Sequence, residues 1–364
     1  MVHPAASLFK ELTSVPTAPF YEEGPAGKAL AWIKKNLGGR VAVSRSTGGF
    51  VVRYRGAGPG PALAFAAHLD HPAFHLSNVT AKGARAELKG GLVREQLPGA
   101  RVEAFAPRPK DNRPQAKGVI ESDGDGFRVR WTEAPKPGVR PEFAVLELTP
   151  WELAGRWLKS RSIDDLLGAA ASLEALRRLA AARAKTNVTV LLHRAEEVGF
   201  VGALELVRSG AVDKTDSIIS VETSRELPDA RPGKGPVIRL GDKACLFDGN
   251  LTALLDDAAA AVKLRGVKCQ RTRLTGGTCE ATAYLGHGYE AGGVAIPLVN
   301  YHNGGPGHVA PEMVRVEDLA GIVELLVEAG RLYPERTLRG RMRVRLDKIL
   351  AGQRRGLLRW KMVS

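Results

Sequence analysis

An apolar run that ends in two adjacent carboxylates is the feature that most constrains what this chain can fold into. The run covers residues 188–192 and is rich in branched side chains, and Glu196 and Glu197 follow it closely. Such a run predicts a buried strand, and ligands bind beyond the carboxyl ends of strands in open α/β sheets. One glutamate could therefore face a metal ion and the other a water molecule, although the simpler interpretation is a polar turn between a strand and a helix.

Three more predicted strands lead to side chains that can bind a metal. They are residues 61–67, followed by His68 and Asp70; residues 217–221, followed by Glu222; and residues 292–297, followed by a glycine-rich loop with His302 and His308. Asp164 lies at the start of a predicted helix that continues to about Arg183. This alternation of strands and helices predicts an α/β fold with three layers, α/β/α.

Residues 72–149 differ from the rest of the chain in their hydrophobic pattern. Short alternating stretches are separated there by glycine and proline clusters, which predicts a small antiparallel β domain. We therefore expect a discontinuous catalytic domain of residues 1–70 and 150–335, an inserted domain of residues 71–149, and a basic tail of residues 336–364. Residues 150–159 are predicted to form a short helical link.

Positive charge is concentrated at the C-terminus of a chain whose net charge is +14. Residues 336–361 contain ten Lys or Arg and one acid, Asp347. Such a segment can bind nucleic acid or a membrane surface without specificity. Its only aromatic residue is Trp360, so stacking partners for single strands are nearly absent. We favour a solvated tail over nucleic-acid contact.

Targeting signals are not evident in the sequence. The N-terminus lacks the charged-then-apolar order of a signal peptide, and no apolar run is long enough to span a bilayer. The three cysteines, Cys245, Cys269 and Cys279, have no CxxC spacing. These features predict a cytoplasmic protein with no membrane partner.

Five residues at strand ends or in the loops that follow strands form a candidate ligand set for a pair of metal ions. They are His68, Asp164, Glu197, Glu222 and His308. A pair of divalent ions needs a bridging carboxylate together with further nitrogen and oxygen ligands. Asp70 is placed to hydrogen-bond the ring of His68. Glu196 is left without a metal, as a general base for hydrolysis should be.

The order of these motifs resembles that of the di-zinc aminopeptidase superfamily. The matching motifs are His68-Leu69-Asp70, Ile163-Asp164-Asp165, Ala195-Glu196-Glu197-Val198-Gly199, Val221-Glu222, and His308 with Glu312. Within the superfamily the chain is most similar to the deblocking, tetrahedral (glutamyl) aminopeptidases, some of which are labelled endoglucanases. The resemblance extends to about residue 332 and includes the inserted domain, which it implies is a β-barrel.

This resemblance implies the roles of the site residues. Asp164 would bridge two divalent ions, which would be zinc or, with the same ligand set, cobalt or manganese. His68 and Glu222 would bind one ion, and Glu197 and a C-terminal histidine the other. The peptide bond between Asp164 and Asp165 is expected to be cis. The implied partners are a peptide substrate and further copies of the chain in a homo-oligomer.

The identity of the C-terminal histidine depends on how the last loop is counted. Counting forward from Pro297 without a gap selects His302, whereas counting back from residues 311–314 selects His308. The second count treats residues 304–307 as an extra loop, and we favour His308.

Two alternatives keep parts of this interpretation. The same site could serve an amidohydrolase, deacylase or carboxypeptidase-like enzyme that acts on N-acylated small molecules. The chain could also be a non-catalytic basic binding protein on a peptidase scaffold. The leading hypothesis is a metal-dependent aminopeptidase in which Glu196 deprotonates a metal-bound water.

One departure from the family is Cys279, which stands where an aspartate is usual; we interpret it as a buried thiol.

Overall fold

The computed structural model describes residues 3–335 and 338–357. Its α-helices are α1 (Pro4–Leu12), α2 (Glu23–Leu37), α3 (Leu166–Ala181), α4 (Val201–Arg208), α5 (Gly249–Lys263), α6 (Glu280–Gly286), α7 (Val316–Leu332) and α8 (Leu338–Leu357). Its first strands are β1 (Ala42–Ser46), β2 (Gly49–Arg55), β3 (Leu63–His68), β4 (Ala73–Ser77), β5 (Gly83–Lys89), β6 (Arg101–Phe105), β7 (Ala116–Asp123), β8 (Gly126–Glu133) and β9 (Phe143–Leu146). The later strands are β10 (Glu152–Ala154), β11 (Trp157–Ser160), β12 (Asn187–His193), β13 (Ser217–Arg225), β14 (Val237–Arg239), β15 (Gln270–Thr272), β16 (Glu290–Leu298) and β17 (Glu312–Arg315).

An eight-stranded sheet forms the middle layer, with the strand order β1-β2-β12-β3-β13-β16-β14-β15. Its four central strands, β12, β3, β13 and β16, are parallel to one another. Their carboxyl ends therefore meet at the same edge of the sheet, where ligands bind in open α/β folds. The outermost strand β1 and the next strand, β2, are antiparallel to their neighbours.

Alternating side chains of the central strands build two cores, one on each face of the sheet. Val190 and Leu192 pack with α1, α2, α3, α5 and α7, whereas Leu191 lies on the other face with α4 and α6. Burial of each such branched side chain contributes about 1.5–3 kcal/mol. The predicted three-layer α/β/α fold is confirmed, and the apolar run at residues 188–192 is a strand buried on both faces.

A closed antiparallel barrel of six strands is inserted between β3 and β10. Its strand order is β4-β5-β8-β7-β6-β9, and β9 pairs again with β4. Its interior is filled by alternating apolar residues such as Phe74, Val102, Ile120 and Val129. The loop between β5 and β6 reaches toward the end of the main sheet.

A small third sheet replaces the helical link that was predicted for residues 150–159. That prediction is wrong: β10 and β11 form a hairpin around Gly155, which has a φ of +61°. A glycine tolerates this left-handed conformation without steric cost. β11 then pairs with β17, which places Ser160 opposite Glu312. The pairing joins residues that are far apart in sequence, so local pattern does not reveal it.

The basic tail contains a helix that the sequence analysis did not predict. Residues 338–357 form α8, whereas residues 336–337 and 358–364, including Trp360, lie outside the described residues. Among the helices of residues 3–335 and 338–357, none is both long enough and apolar enough to cross a membrane.

Candidate active site

Four parallel strands bring most of the predicted site residues to one edge of the sheet. His68 is the last residue of β3, Glu196 and Glu197 follow β12, and Glu222 lies in β13. Asp164 reaches the same place from the turn between β11 and α3. The structure thus joins residues that are separated by more than 150 positions in the sequence.

The carboxylate of Asp164 lies between two histidines. Its Oδ1 is 3.5 Å from Nε2 of His68, and its Oδ2 is 3.5 Å from Nε2 of His302. On the far side of His302, Oε1 of Glu197 is 3.2 Å from the same Nε2. Each oxygen of Asp164 therefore faces a separate group of ligand atoms, the arrangement that a bridging carboxylate requires.

The histidine in this position is His302, and the choice of His308 is corrected. Asn300, His302 and Asn303 all have left-handed φ values between 51° and 57°, so the chain turns back over the strand ends directly after β16. His308 is exposed on the small loop that Gly304 and Val309 close. The extra loop follows the histidine of the site rather than preceding it, which is why counting backward selected the wrong residue.

Several buried atoms of this cluster have no hydrogen-bond partner. They are Oδ1 of Asp164, Oε1 of Glu197 and Nε2 of His302. Burial of polar atoms without a partner costs about 1–3 kcal/mol each. Three overlapping groups of side chains each have ligand atoms within 4.8 Å of one another: His68 with Asp164 and Glu222, His68 with Glu196 and Glu197, and Asp164 with Glu197 and His302. The donor set and its unpaired atoms fit divalent cations.

Negative charge dominates the cluster and shifts the pKa of its members. Burial alone would lower the pKa of His68, but the facing carboxylates, Glu196 first, raise it well above its usual range. Burial, and then repulsion from Glu280, raises the pKa of Glu222 to about 7. Burial opposes ionisation of Asp164, yet the facing imidazoles of His302 and His68 hold its pKa below the usual range. The site therefore attracts positive charge.

Asp70 holds the two adjacent glutamates in place. Its Oδ1 accepts a hydrogen bond from the backbone N–H of Glu196 at 3.0 Å, and its Oδ2 accepts one from that of Glu197 at 3.1 Å. Its Oδ1 also lies 3.5 Å from Nδ1 of His68. Asp70 thus contacts both the predicted base and a candidate ligand.

Glu22 supports the same segment from the other side, a role that the sequence analysis did not assign. Its fully buried carboxylate accepts hydrogen bonds from the backbone N–H groups of Phe20 and Ala195 and pairs with Arg194 at 2.7 Å. Ala195 has a φ of +50°, a conformation that costs free energy in a non-glycine residue. Glu22 therefore stabilises the unusual backbone directly before Glu196.

Glu312 joins the turn of Asp164 to the loop of His302. Its Oε2 accepts hydrogen bonds from the backbone N–H groups of Ile163 and Asp164, and its Oε1 accepts one from that of His302. In the sequence, Glu312 belongs to a matching motif but has no predicted role. Its contacts show that the β11–β17 pairing positions two candidate ligands at once. The peptide bond between Asp164 and Asp165 is cis, as the resemblance implied.

The inserted barrel also contacts the site, which the sequence analysis missed. Nδ1 of His302 lies 3.0 Å from the backbone oxygen of Gly91, in the loop between β5 and β6. Gln96 of the same loop donates a hydrogen bond to the backbone oxygen of Gly305. The ring of His302 is thus oriented so that Nε2 points at Asp164 and Glu197.

A cleft of about 330 Å³ opens beside the cluster. Glu196 and Glu222 line it, together with Arg239, Cys279 and Tyr301. Cys279 is 2% exposed, and burial raises the pKa of its thiol, in keeping with the expected buried thiol. Arg239 is also buried, and its Nε lacks a hydrogen-bond partner; the sequence analysis assigned it no role.

Comparison with known proteins identifies the fold and the family. A profile of the M42 glutamyl aminopeptidases matches residues 128–325, more than half of the chain. A TET aminopeptidase from a marine sediment archaeon of the Thaumarchaeota is 18% identical, with a TM-score of 0.76 over 90% of this chain and 97% of that one. The TET1 peptidase of Pyrococcus horikoshii, which assembles into a tetrahedron or a large octahedral shell, is 20% identical, with a TM-score of 0.72 over 90% and 99%. A Thermotoga maritima protein described as an endoglucanase is 17% identical, with a TM-score of 0.64 over 88% and 96%.

Proposed function

Because the chain belongs to the M42 glutamyl aminopeptidase family and is a metal-dependent aminopeptidase, we propose that it removes N-terminal residues from peptides with Glu196 as the general base. The observation that carries this proposal is the position of Glu196, whose carboxylate lines the cleft 3.7 Å from Nε2 of His68. Its neighbour Glu197 faces His302 instead. The two adjacent carboxylates thus have different surroundings and can have different roles.

The proposed metal site would take two divalent ions, and Asp164 would supply a ligand oxygen to each. His68 and Glu222 would bind one ion, and Glu197 and His302 the other. This division is supported by two groups of close ligand atoms, one of His68, Asp164 and Glu222 and the other of Asp164, Glu197 and His302. Zinc is the proposed metal, and the same ligand types accept cobalt or manganese. When bound, such ions polarise a scissile carbonyl and lower the pKa of water.

Glu196 would carry the proton during hydrolysis. Burial, and then repulsion from Glu197, Glu222 and Glu280, raises its pKa well above the usual range, although His68 opposes this shift. A raised pKa makes the ionised carboxylate a stronger base toward a proton of water, and the protonated form can return that proton. The Glu196 carboxylate would accept a proton from the attacking water and deliver it to the leaving amine. Asp70 would keep its backbone in place through the hydrogen bond at 3.0 Å.

The test is the Glu196→Gln variant, which keeps the size of the side chain but cannot accept the proton. We expect kcat for an aminoacyl-arylamide to fall by roughly 10²–10⁴-fold, while the metal content, measured by elemental analysis, stays that of the wild type. The exposed Glu11, changed to Gln, is the matched control. Wild-type turnover in the Glu196 variant would refute the assignment.

The alternatives from the sequence are not favoured. A deacylase or carboxypeptidase-like activity has less support than an aminopeptidase, given the family to which the chain belongs. A purely non-catalytic binding protein would not need the unpaired ligand atoms that surround Asp164.

The proposal extends to partners, domains and location. The structural neighbours include a dodecamer and tetrahedral or octahedral shells, which supports a homo-oligomer here. The confinement of the barrel to β4–β9 supports a catalytic domain of residues 1–70 and 150–335 with an inserted domain of residues 71–149. Three unpaired cysteines support a cytoplasmic location.

A further inference from the structure

The last helix, α8, carries an exposed apolar face. Leu346, Ile349, Leu350 and Leu357 are between 51% and 63% exposed. These are four of the eleven large apolar side chains that are exposed among the described residues. The helix begins beyond residue 325, where the family match ends. This face is therefore a feature of the chain that the family match does not cover.

The apolar residues share one side of the helix. At about 100° per residue, Leu346, Ile349, Leu350 and Leu357 fall within a sector of about 100°. Arg345 and Arg354 lie about 40° beyond its two edges, and both are exposed. The exposed Gln353 also falls inside this sector, so the apolar stripe is interrupted between Leu350 and Leu357, and a cation borders it on each side.

Positive charge is dense along the same helix. Residues 338–357 contain seven Lys or Arg and one acid, Asp347. Two further cations, Lys348 and Arg355, lie on the helix surface outside the stripe and its flanking arginines, and both are exposed. Dense positive charge beside exposed apolar side chains, on a helix of low overall hydrophobicity, favours contact with the surface of an anionic membrane rather than insertion across it.

Two other occupants fit the face less well. A second copy of α8 packed against this face would bring two sets of flanking cations, Arg345 and Arg354, close together, and like charges repel. A nucleic acid would pair with the cations but would leave the apolar stripe in water, and residues 338–357 include no aromatic side chain for stacking. An anionic lipid surface accepts both the cations and the apolar stripe.

We propose that α8 binds an anionic lipid surface, with Leu346, Ile349, Leu350 and Leu357 toward the acyl chains and Arg345 and Arg354 against the headgroup phosphates. This contact differs from the expectation of no membrane partner, because it depends on a helix that the sequence pattern did not reveal. It would hold the peptidase at a membrane without a spanning segment.

The test uses the full chain and sedimentation with lipid vesicles. Wild-type protein should bind vesicles of phosphatidylcholine with phosphatidylserine, bind phosphatidylcholine alone weakly, and lose the difference at high salt. The double variant Arg345→Gln/Arg354→Gln should lower affinity for the anionic vesicles roughly 30-fold, equivalent to about 2 kcal/mol for two cations at such a surface. Ile349→Ser/Leu350→Ser should lower it roughly tenfold or more.

Matched controls separate this contact from general charge and hydrophobicity. Lys34→Gln/Lys35→Gln makes the same change in net charge at two exposed positions of α2, and Leu264→Ser removes a leucine that is 91% exposed outside α8. Both should bind vesicles like the wild type. All variants should keep the wild-type thermal midpoint and peptidase activity, which shows that they are folded.

Three results would overturn the proposal. The first is no binding of wild-type protein to anionic vesicles at low salt. The second is unchanged binding in both α8 variants. The third is an effect of the α8 variants confined to oligomeric state, by light scattering, or to nucleic-acid binding, by gel shift.

Discussion

Substitution of Gly91 by alanine tests whether the inserted barrel controls the metal site. A Cβ atom at Gly91 would lie 2.9 Å from Nδ1 and 3.2 Å from Cε1 of His302. The ring of His302 is stacked on Tyr301 with its centroid 3.8 Å away, and its Nε2 faces Glu197 at 3.2 Å. The imidazole therefore has little freedom to move without changing the geometry around Nε2.

The expected effect follows from these distances. Relief of the contact requires a shift of a few tenths of an ångström and weakens the 3.0 Å hydrogen bond to the backbone oxygen of Gly91. Loss of the partner that orients a metal-binding histidine typically lowers metal affinity about 10- to 100-fold. We therefore expect the dissociation constant of the ion that His302 would bind to rise by that factor, about 1.4–2.8 kcal/mol.

The assay is a metal titration of the chelator-stripped protein, followed by elemental analysis and by recovery of peptidase activity. Gly126→Ala, in β8 of the same barrel, is the control because its nearest neighbour would be 3.5 Å from the new Cβ. It should bind metal like the wild type. Unchanged metal affinity in Gly91→Ala would refute the reasoning that the barrel orients His302.

Three further predictions concern the site and its support. His302→Ala should lose one bound ion and at least 10²-fold of kcat, whereas His308→Ala should change neither, as measured by elemental analysis and arylamide hydrolysis. Glu22→Ala should lower the free energy of unfolding in urea by roughly 2–4 kcal/mol, because it leaves the N–H of Ala195 and the guanidinium of Arg194 without their buried partner. The metal-free protein should lose thermal stability as the pH rises from about 5 to about 8, because burial raises the pKa of Glu22 and Glu222 to about 7 in the folded state.

The sign of the pH effect follows from proton binding. A carboxyl whose pKa is higher in the folded state than in the unfolded state binds its proton more tightly when folded. Its stabilising contribution is complete below the unfolded pKa of about 4.5 and is lost as the pH rises through the folded value. The raised pKa of His68 acts in the same direction. Zinc should reduce this dependence by replacing protons, and a metal-free midpoint that rises with pH would contradict the reasoning.

Equal metal content in His302→Ala and His308→Ala would contradict the choice of His302. For Glu22, a Glu22→Gln variant keeps an acceptor for Ala195 and should therefore lose less stability than Glu22→Ala. Equal losses in the two variants would show that the hydrogen bond to Ala195 contributes little.

The sequence by itself determined the sheet-edge part of the site. His68, Glu196, Glu197 and Glu222 lie in or directly after runs of apolar residues, and the boundary of a buried strand is a local property of the pattern. Because parallel strands end at one edge of the sheet, knowledge of the strands was enough to group these residues. The change of pattern at residue 72 likewise predicted the inserted β domain.

Only the tertiary structure decided which histidine completes the site and what holds it there. His302 and its partner Gly91 are 211 positions apart, Ala195 and Glu22 are 173 apart, and Ile163 and Glu312 are 149 apart. No local periodicity connects such residues. His302 rather than His308 reaches Asp164 because left-handed backbone at Asn300 and His302 turns the chain directly after β16. That turn depends on contacts made by the folded chain.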